Sequence, residues 1–368
     1  MLNYDYVIIG AGISGCSVAY ELSKYSNNIL LIDKNTDVAS GASGAAGAFL
    51  SPLLGKANPF KDLVTKSLKY STAFYQKNFP KYFNNCGTTR IPQNEEDEIK
   101  FKTYIPFMDF KYDKEDQGYF FKIGSVVDSF NMCKAMISAC QNSINTSFNY
   151  EVTKIENQND LWVLNDEIEA KNIIFTTGSD VHLIDQFYLK IRAVWGQRID
   201  IHTSSVFLHN YHKACSISQG IALDDNKYIV SIGATHHRDI GEIVDIESNT
   251  LELLTKANDI KKLEDVKVLN HYVGARACSN DYFPVVGDII DSKKTLKNFP
   301  YLVNGTNVES KRYTRFKNAY LLTGVGGRGF VLAPYLAKQL VENIIENKEL
   351  ESSILIDRLF QREVKRIK

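Results

Sequence analysis

The chain carries no excess charge of either sign: 43 Lys and Arg stand against 43 Asp and Glu in 368 residues. A molecule balanced in this way is no general electrostatic magnet for nucleic acid, so any such role has to rest on local patches. No apolar run approaches the roughly 20 residues that span a bilayer, so no membrane partner is expected. The six cysteines (Cys16, Cys86, Cys133, Cys140, Cys215 and Cys278) include no CxxC pair. Cys133 and Cys140 sit about two helical turns apart, a spacing that a helix explains without a disulfide. A reducing, cytoplasmic setting is expected. The seven histidines are scattered, and the adjacent His236 and His237 cannot share one helix face, so no metal site is expected. Internal repeats and a low-complexity tail are missing, and the first strand starts so close to Met1 that no signal peptide is expected. The remaining composition, 44% hydrophobic and 23% charged, is that of a soluble globular protein. Its length is too great for one simple core, so one large or two interleaved domains are expected.

What is present declares itself at once. Apolar Tyr6-Val-Ile-Ile9 runs into Gly10-x-Gly12-x-x-Gly15, a helical stretch follows to about Lys24, and Ile29-Leu-Leu-Ile32 closes on Asp33. The glycines allow a tight turn and a close approach of backbone to a pyrophosphate, the helix N-terminus faces the phosphates, and the acid can accept a ribose 2′-hydroxyl. Strand, helix and acid all stand where a dinucleotide-binding unit needs them, which a lone glycine pattern would not show.

A second small-residue stretch, Ser40 to Phe49, suits backbone pressed against a large planar or anionic ligand. Pro59 to Phe83 has helical periodicity, residues 84–123 suggest strands of an inserted element, and 130–143 suggest another helix. Two ladder candidates, Glu151–Glu156 and Trp162–Leu164, precede Asn172-Ile-Ile-Phe-Thr-Thr-Gly178. That segment reads as a buried parallel strand ending at a glycine, where ligands sit in open α/β sheets. Residues 190–275 alternate as strands do, apart from a helix-like stretch near 248–263. Tyr320-Leu-Leu-Thr323, the glycine turn Gly324-Val-Gly-Gly-Arg-Gly329 and a helix over 331–346 return to the opening style. The implied architecture is a nucleotide-binding α/β domain with pieces at both ends of the chain, interrupted by a β-rich second domain.

Two glycine turns at opposite ends suggest a cofactor gripped from both sides, and the whole pattern resembles the D-amino-acid-oxidase-like family of flavoproteins. The matching pieces are Gly10–Gly15 with Asp33, the 40–49 stretch, Thr176-Thr-Gly178, Arg192-Ala-Val-Trp-Gly-Gln197, Gly274-Ala-Arg276 with Asp281 and Pro284, and Gly324–Gly329. A narrower resemblance joins Ser40 to Lys56, Gly274 to Gly287 and Gly326 to Pro334 to one subfamily. This is the oxidoreductase half of bifunctional proteins of tRNA 5-methylaminomethyl-2-thiouridine biosynthesis. The resemblance implies a discontinuous Rossmann-like FAD-binding domain of glutathione-reductase type, over 1–84, 124–188 and 272–368. It carries an inserted antiparallel β-sheet substrate domain over 85–123 and 189–271. It implies non-covalent FAD held by Gly10, Gly12, Gly15, Asp33, Ser40, Ser43, Gly44, Val152, Thr177, Gly178, Gly326, Gly327 and Gly329. Cys278 raises covalent attachment, as in some sarcosine oxidases, but unpatterned cysteines point to ordinary packing. Bifunctional members carry a methyltransferase domain ahead of the flavin strand, so a separate methyltransferase is expected as a partner alongside tRNA.

The activity implied is oxidative removal of the carboxymethyl group of 5-carboxymethylaminomethyl-uridine at the wobble position. The alternative is oxidation of a small amine such as glycine, sarcosine or a D-amino acid. Arg276 and Arg328 are the expected carboxylate clamp, since a planar guanidinium pairs bidentately with a carboxylate; a salt bridge of Arg276 to Asp281 is the competing reading. Lys56 is the third catalytic candidate, as a contact to flavin or activated oxygen. Tyr228 and His236 are possible polar neighbours, and Gln197 and Arg192 read as motif residues near the strand crossing. Nucleic-acid contact is expected from two basic patches. One comprises Lys293, Lys294, Lys297, Lys311, Arg312, Arg315 and Lys317 with Tyr301 and Tyr313 nearby; the other comprises Arg358, Arg362, Lys365, Arg366 and Lys368.

Overall fold

The computed structural model describes residues 1–223, 226–237 and 245–367. The strand Leu2–Ile9, the helix Ile13–Leu22 and the strand Ile29–Ile32 form the opening unit, the two strands parallel with Tyr6 beside Ile29 and Ile9 beside Ile32. Val7, Ile8, Ile29, Leu31 and Ile32 are almost completely removed from solvent. A strand covered on both faces needs such an unbroken apolar run, which is why these segments read as continuous rather than alternating.

Two large sheets are formed among the described residues. The first runs Ile155–Gln158, Leu161–Leu164, Ile168–Phe175, Leu2–Ile9, Ile29–Ile32, Ile144–Ser147. Beyond the antiparallel Leu161–Leu164, the far end of Ile168–Phe175 also pairs in parallel with Arg315–Thr323, which pairs antiparallel with Val285–Ile290. The second sheet takes strands from Thr88–Arg90, Asp113–Glu115 and Gly118–Phe121 and from the stretch between Ile191 and Ser279. Its longest pair, Ile191–Thr203 with Lys267–Ser279, is antiparallel. Lys267–Ser279 runs unbroken past residue 272, where the sequence reading set a domain boundary.

Residues 84–123 depart from the expected run of strands, because Glu95–Tyr104 is a helix. Its signals are local: the Asn94 side chain accepts from the Asp97 N–H, and four acids fill the first turn, where the helix dipole favours negative charge. The helix Pro59–Asn78, with Pro59 at its first position and Asn58 accepting from the Lys61 N–H, packs on Gly329–Glu346. Pro334 inside the latter has no N–H to give the carbonyl one turn back. The Tyr75 hydroxyl donates to that Phe330 carbonyl at 3.0 Å, and Ser71 Oγ donates to the Val331 carbonyl at 2.7 Å. The Tyr75 contact between the two helices therefore satisfies the one carbonyl that proline orphans.

Acids of the same molecule pair with part of each basic patch. In the terminal helix Asp357–Val364, Leu359 and Phe360 are fully buried, and Arg358 holds Asp281 at 3.0 and 3.2 Å. Glu363, its side chain 1% exposed, takes Lys190, Arg362 and Arg366; Lys368 lies outside the described residues. In the other patch Lys294 pairs with Asp291, Lys311 with Glu309, Lys317 with Asp160 and Arg315 with Asp357. Arg312 lies over the Phe299 ring, and Tyr313 is buried with its hydroxyl on the Val308 carbonyl, so that ring cannot stack a base. Some of these partners are local, as Asp291, Glu309 and Glu363 are; Lys190, Arg315, Lys317 and Arg358 instead meet acids from distant segments, which counting charges along a window cannot show.

The Asp281 carboxyl is raised by burial, but hydrogen bonds from Arg358 and Ser279 hold it below the usual carboxylate range. Its stabilisation is therefore present at neutral pH and lost as pH falls through the carboxylate range. Asp281→Asn is expected to cost about 2 kcal/mol at pH 7. The difference from wild type in urea unfolding midpoint should shrink as the pH is lowered toward the range where Asp281 protonates; a constant difference would show that the charge is not the cause.

Candidate functional site

The two glycine turns and the small-residue stretch meet around one cavity of about 1140 Å³. At its first end, Gly10 has φ of +104° and a Cβ there would lie 2.5 Å from the Thr176 carbonyl oxygen. A Cβ on Gly15 would fall 1.8 Å from the Gly10 carbonyl oxygen, so the helix can sit this close to the turn only without a side chain. Asp33 locks the turn from the second strand: Oδ2 accepts from the Ala11 N–H at 2.7 Å, and Oδ1 accepts from the Asn35 backbone at 2.9 Å and side chain at 2.8 Å. A carboxylate has about four acceptor positions, so capacity remains for a ribose hydroxyl. Ser43 Oγ accepts from the Ile13 N–H at 2.9 Å and caps the first helix from outside the glycine unit.

The small-residue stretch forms a short turn of helix, Ala42–Ala45. Part of its smallness serves protein packing: a Cβ on Gly274 would lie 2.8 Å from Ala42 Cα and 2.9 Å from Ala45 Cβ. Ser40, Gly41, Ser43 and Gly47 nevertheless line the cavity, as do Gly10, Gly12, Asp33, Val152, Thr177, Gly178, Gly326, Gly327 and Gly329. Gly15 and Gly44 stand behind the wall. The Gly44 N–H donates to the Ala39 carbonyl at 2.8 Å, and a Cβ there would meet that same oxygen. Thr176, which the sequence reading passed over as a site residue, donates through Oγ1 to the Ile9 and Gly10 carbonyls and ties the two strand ends together.

The opposite end of the cavity is cationic. Arg276, on Lys267–Ser279, lies against Gly196 and Gly327 and donates to the Thr235 carbonyl at 3.2 Å and the Trp195 carbonyl at 3.5 Å. The salt bridge to Asp281 is not made, because that acid is taken by Arg358 and Arg362. Arg328 donates to the Ser51 carbonyl at 3.5 Å. Among the described residues neither cavity arginine forms an ion pair. Burial lowers both guanidinium pKa values, that of Arg328 to about 10. Both stay charged at neutral pH, in surroundings where an anion would replace lost water.

His212 and His236 complete this wall. Burial first, then Arg90, Arg328 and His236, push His212 well below the usual histidine range, so its ring is neutral at pH 7 and holds Ser216 Oγ at 2.6 Å through Nδ1. Cys278 and Arg192 also line the cavity. Lys56 does not: its side chain is exposed, outside the cavity wall. Tyr228 lies away from the wall, and Gln197 is fully buried with its amide on the Ile246 carbonyl and Thr250 hydroxyl. No group of three or more His, Cys, Asp or Glu able to hold a metal occurs among the described residues, and no helix there is long and apolar enough to cross a membrane.

The cavity's shape and lining fit a flavin dinucleotide: a glycine turn at a helix N-terminus for phosphate, an acid for ribose, and a second glycine turn beside small residues for a planar ring. The family model described as FAD dependent oxidoreductase (DAO) matches residues 5–343. The tRNA 5-methylaminomethyl-2-thiouridine biosynthesis bifunctional protein MnmC of Legionella pneumophila is 25% identical over 388 residues, covering 96% of this chain and 56% of that protein. The protein of the same name from Campylobacter fetus is 23% identical, covering 92% of this chain and again 56% of its own length. The chain thus spans about half the length of the curated relatives it matches. Among solved structures, glycine oxidase from Geobacillus kaustophilus superimposes with a TM-score of 0.72 at 16% identity, over 95% of this chain and 96% of that one, a likeness of fold.

Proposed function

The chain belongs to the FAD-dependent oxidoreductase family, and from that premise we propose that it oxidises the C–N bond of an N-carboxymethyl amine, the modified wobble uridine of tRNA. The products would be the 5-aminomethyl-uridine and glyoxylate. The observation that carries the reading is the pair of cavity guanidiniums, Arg276 and Arg328, held on backbone carbonyls without a carboxylate of their own. Two buried cations in this state ask for an anionic ligand, and a glycine joined through its nitrogen supplies one carboxylate. The likeness to MnmC over nearly the whole chain supports tRNA as the carrier of that group.

Gly10, Gly12, Asp33, Ser43, Thr177, Gly178 and Gly326–Gly329 would hold FAD, which when bound supplies the two-electron acceptor for the methylene between nitrogen and carboxylate. The rest falls to this chain. Arg276 and Arg328 bind the carboxylate and so aim the adjacent methylene, a contribution of position rather than of acid–base chemistry. The neutral His212 can accept or donate a hydrogen bond without adding charge. Water then divides the oxidised C–N linkage: the amine keeps the nitrogen, and glyoxylate leaves with the oxygen.

A second reading is favoured by one observation. In the basic segment expected to meet tRNA, Lys294, Lys311, Arg315 and Lys317 pair with acids of the same molecule, as suits oxidation of a small free amino acid. Nucleoside mass spectrometry separates the two. Incubating the yellow protein with tRNA that carries 5-carboxymethylaminomethyl-uridine is expected to yield the aminomethyl nucleoside and glyoxylate. No conversion, with flavin bleached instead by glycine or sarcosine, would sink the tRNA reading and leave the small-molecule one.

A further inference from the structure

Behind Arg328 stands another arginine that no motif announced. Arg90 ends the short strand Thr88–Arg90, in parallel register with His212 on one side and antiparallel with Tyr119 on the other. Its Nη1 donates to the Pro52 carbonyl at 2.9 Å and lies 3.4 Å from Ser51 Oγ, while Arg328 Nη1 donates to the Ser51 carbonyl. Two guanidiniums thus converge on one dipeptide, Ser51-Pro52, from opposite ends of the chain. Arg90 Nε is buried and has no hydrogen-bond partner, and no carboxylate pairs with either arginine among the described residues. Burial first, and Arg328 second, lower the Arg90 guanidinium to about 9.

Two desolvated like charges sharing one anchor are unfavourable in isolation, and an anion bound beside them relieves both. We infer that Arg90 is a positioning residue for the carboxylate site: by fixing Ser51-Pro52 and presenting a like charge behind Arg328, it holds the Arg328 guanidinium toward the cavity and strengthens its grip on a carboxylate. Arg90 itself is not part of the cavity wall, so it acts through Arg328. The assignment deepens the carboxylate-clamp reading above and rests on it.

Glycolate, a carboxylate that the enzyme cannot oxidise at a C–N bond, serves as probe. Its binding is read from the perturbation of the flavin absorption band of the purified holoprotein, independent of turnover and of tRNA. Arg90→Gln is expected to weaken glycolate binding about tenfold, a coupling of the size found within one interacting network. It should leave flavin content unchanged. Arg90→Lys, which keeps charge without the planar fork, should recover part of the loss. On an Arg328→Gln background, Arg90→Gln should add little, because the residue through which it acts is gone. Unchanged glycolate affinity in Arg90→Gln would overturn the assignment, as would an equal loss on both backgrounds, the mark of a merely structural role. A wild-type protein whose flavin band is blind to glycolate would overturn the carboxylate clamp itself, and Arg90's part with it.

Discussion

Gly10→Ala should leave purification as a colourless protein, with flavin content below about one tenth of wild type. Two effects act together at this position. The backbone stands at φ +104°, where a side chain is strained by about 1–3 kcal/mol. The added carbon would also lie 2.5 Å from the Thr176 carbonyl oxygen, an atom fixed in the strand junction that closes the first end of the cavity. The turn must therefore move, and moving it breaks the alignment of the Ala11 N–H on Asp33 and of the following helix N-terminus. The ratio of flavin to protein absorbance checks this directly. Full flavin content would show that the turn is not the phosphate cradle, and would remove the ground for placing the dinucleotide here.

Arg276→Met should retain flavin and lose about a hundredfold in kcat/KM on an N-carboxymethyl amine, equivalent to the roughly 1.5–3 kcal/mol of a charge-assisted hydrogen bond. Methionine keeps much of the stem that packs on Gly327 while deleting the fork, so the loss reports recognition rather than collapse. Arg276→Lys should rescue little, since an ammonium cannot reproduce a planar bidentate contact while also holding the Thr235 and Trp195 carbonyls. Unaltered kinetics in both variants would place the carboxylate elsewhere.

The parts of this molecule that were legible in its sequence are those set by short-range rules. Gly10 to Asp33 needed only a glycine turn, an apolar run and an acid at the right spacing. The turn Gly324–Gly329, with its following helix, repeated the same grammar, and the family it suggested is the one matched over residues 5–343. Other features depend on which distant strands become neighbours. Arg90 and His212 carry no pattern of their own, and they meet because two short strands pair in register. The role of Gly274 is invisible until Ala42 and Ala45 are laid against it. Lys56 shows the complementary case: it follows a cavity-lining stretch in the chain, but adjacency in sequence does not carry its side chain to the wall. The helix Glu95–Tyr104 is readable from Asn94 and the acids after it, although the stretch 84–123 taken as a whole suggests strands.

The parallel pairing of Tyr6 with Asn172, and of Ile173 with Ala319, has a consequence for how the protein is made. The strand Leu2–Ile9 gains its neighbour Ile168–Phe175 only after all the residues between them are synthesised. The glycine turn that closes the far end of the cavity arrives later still. Such high contact order makes assembly slow, because loop-closure entropy is spent before non-local contacts reward it. Until Ile168–Phe175 is synthesised, the apolar run Tyr6–Ile9 lacks this lasting neighbour, and newly made protein should depend on chaperones more than its finished fold would suggest.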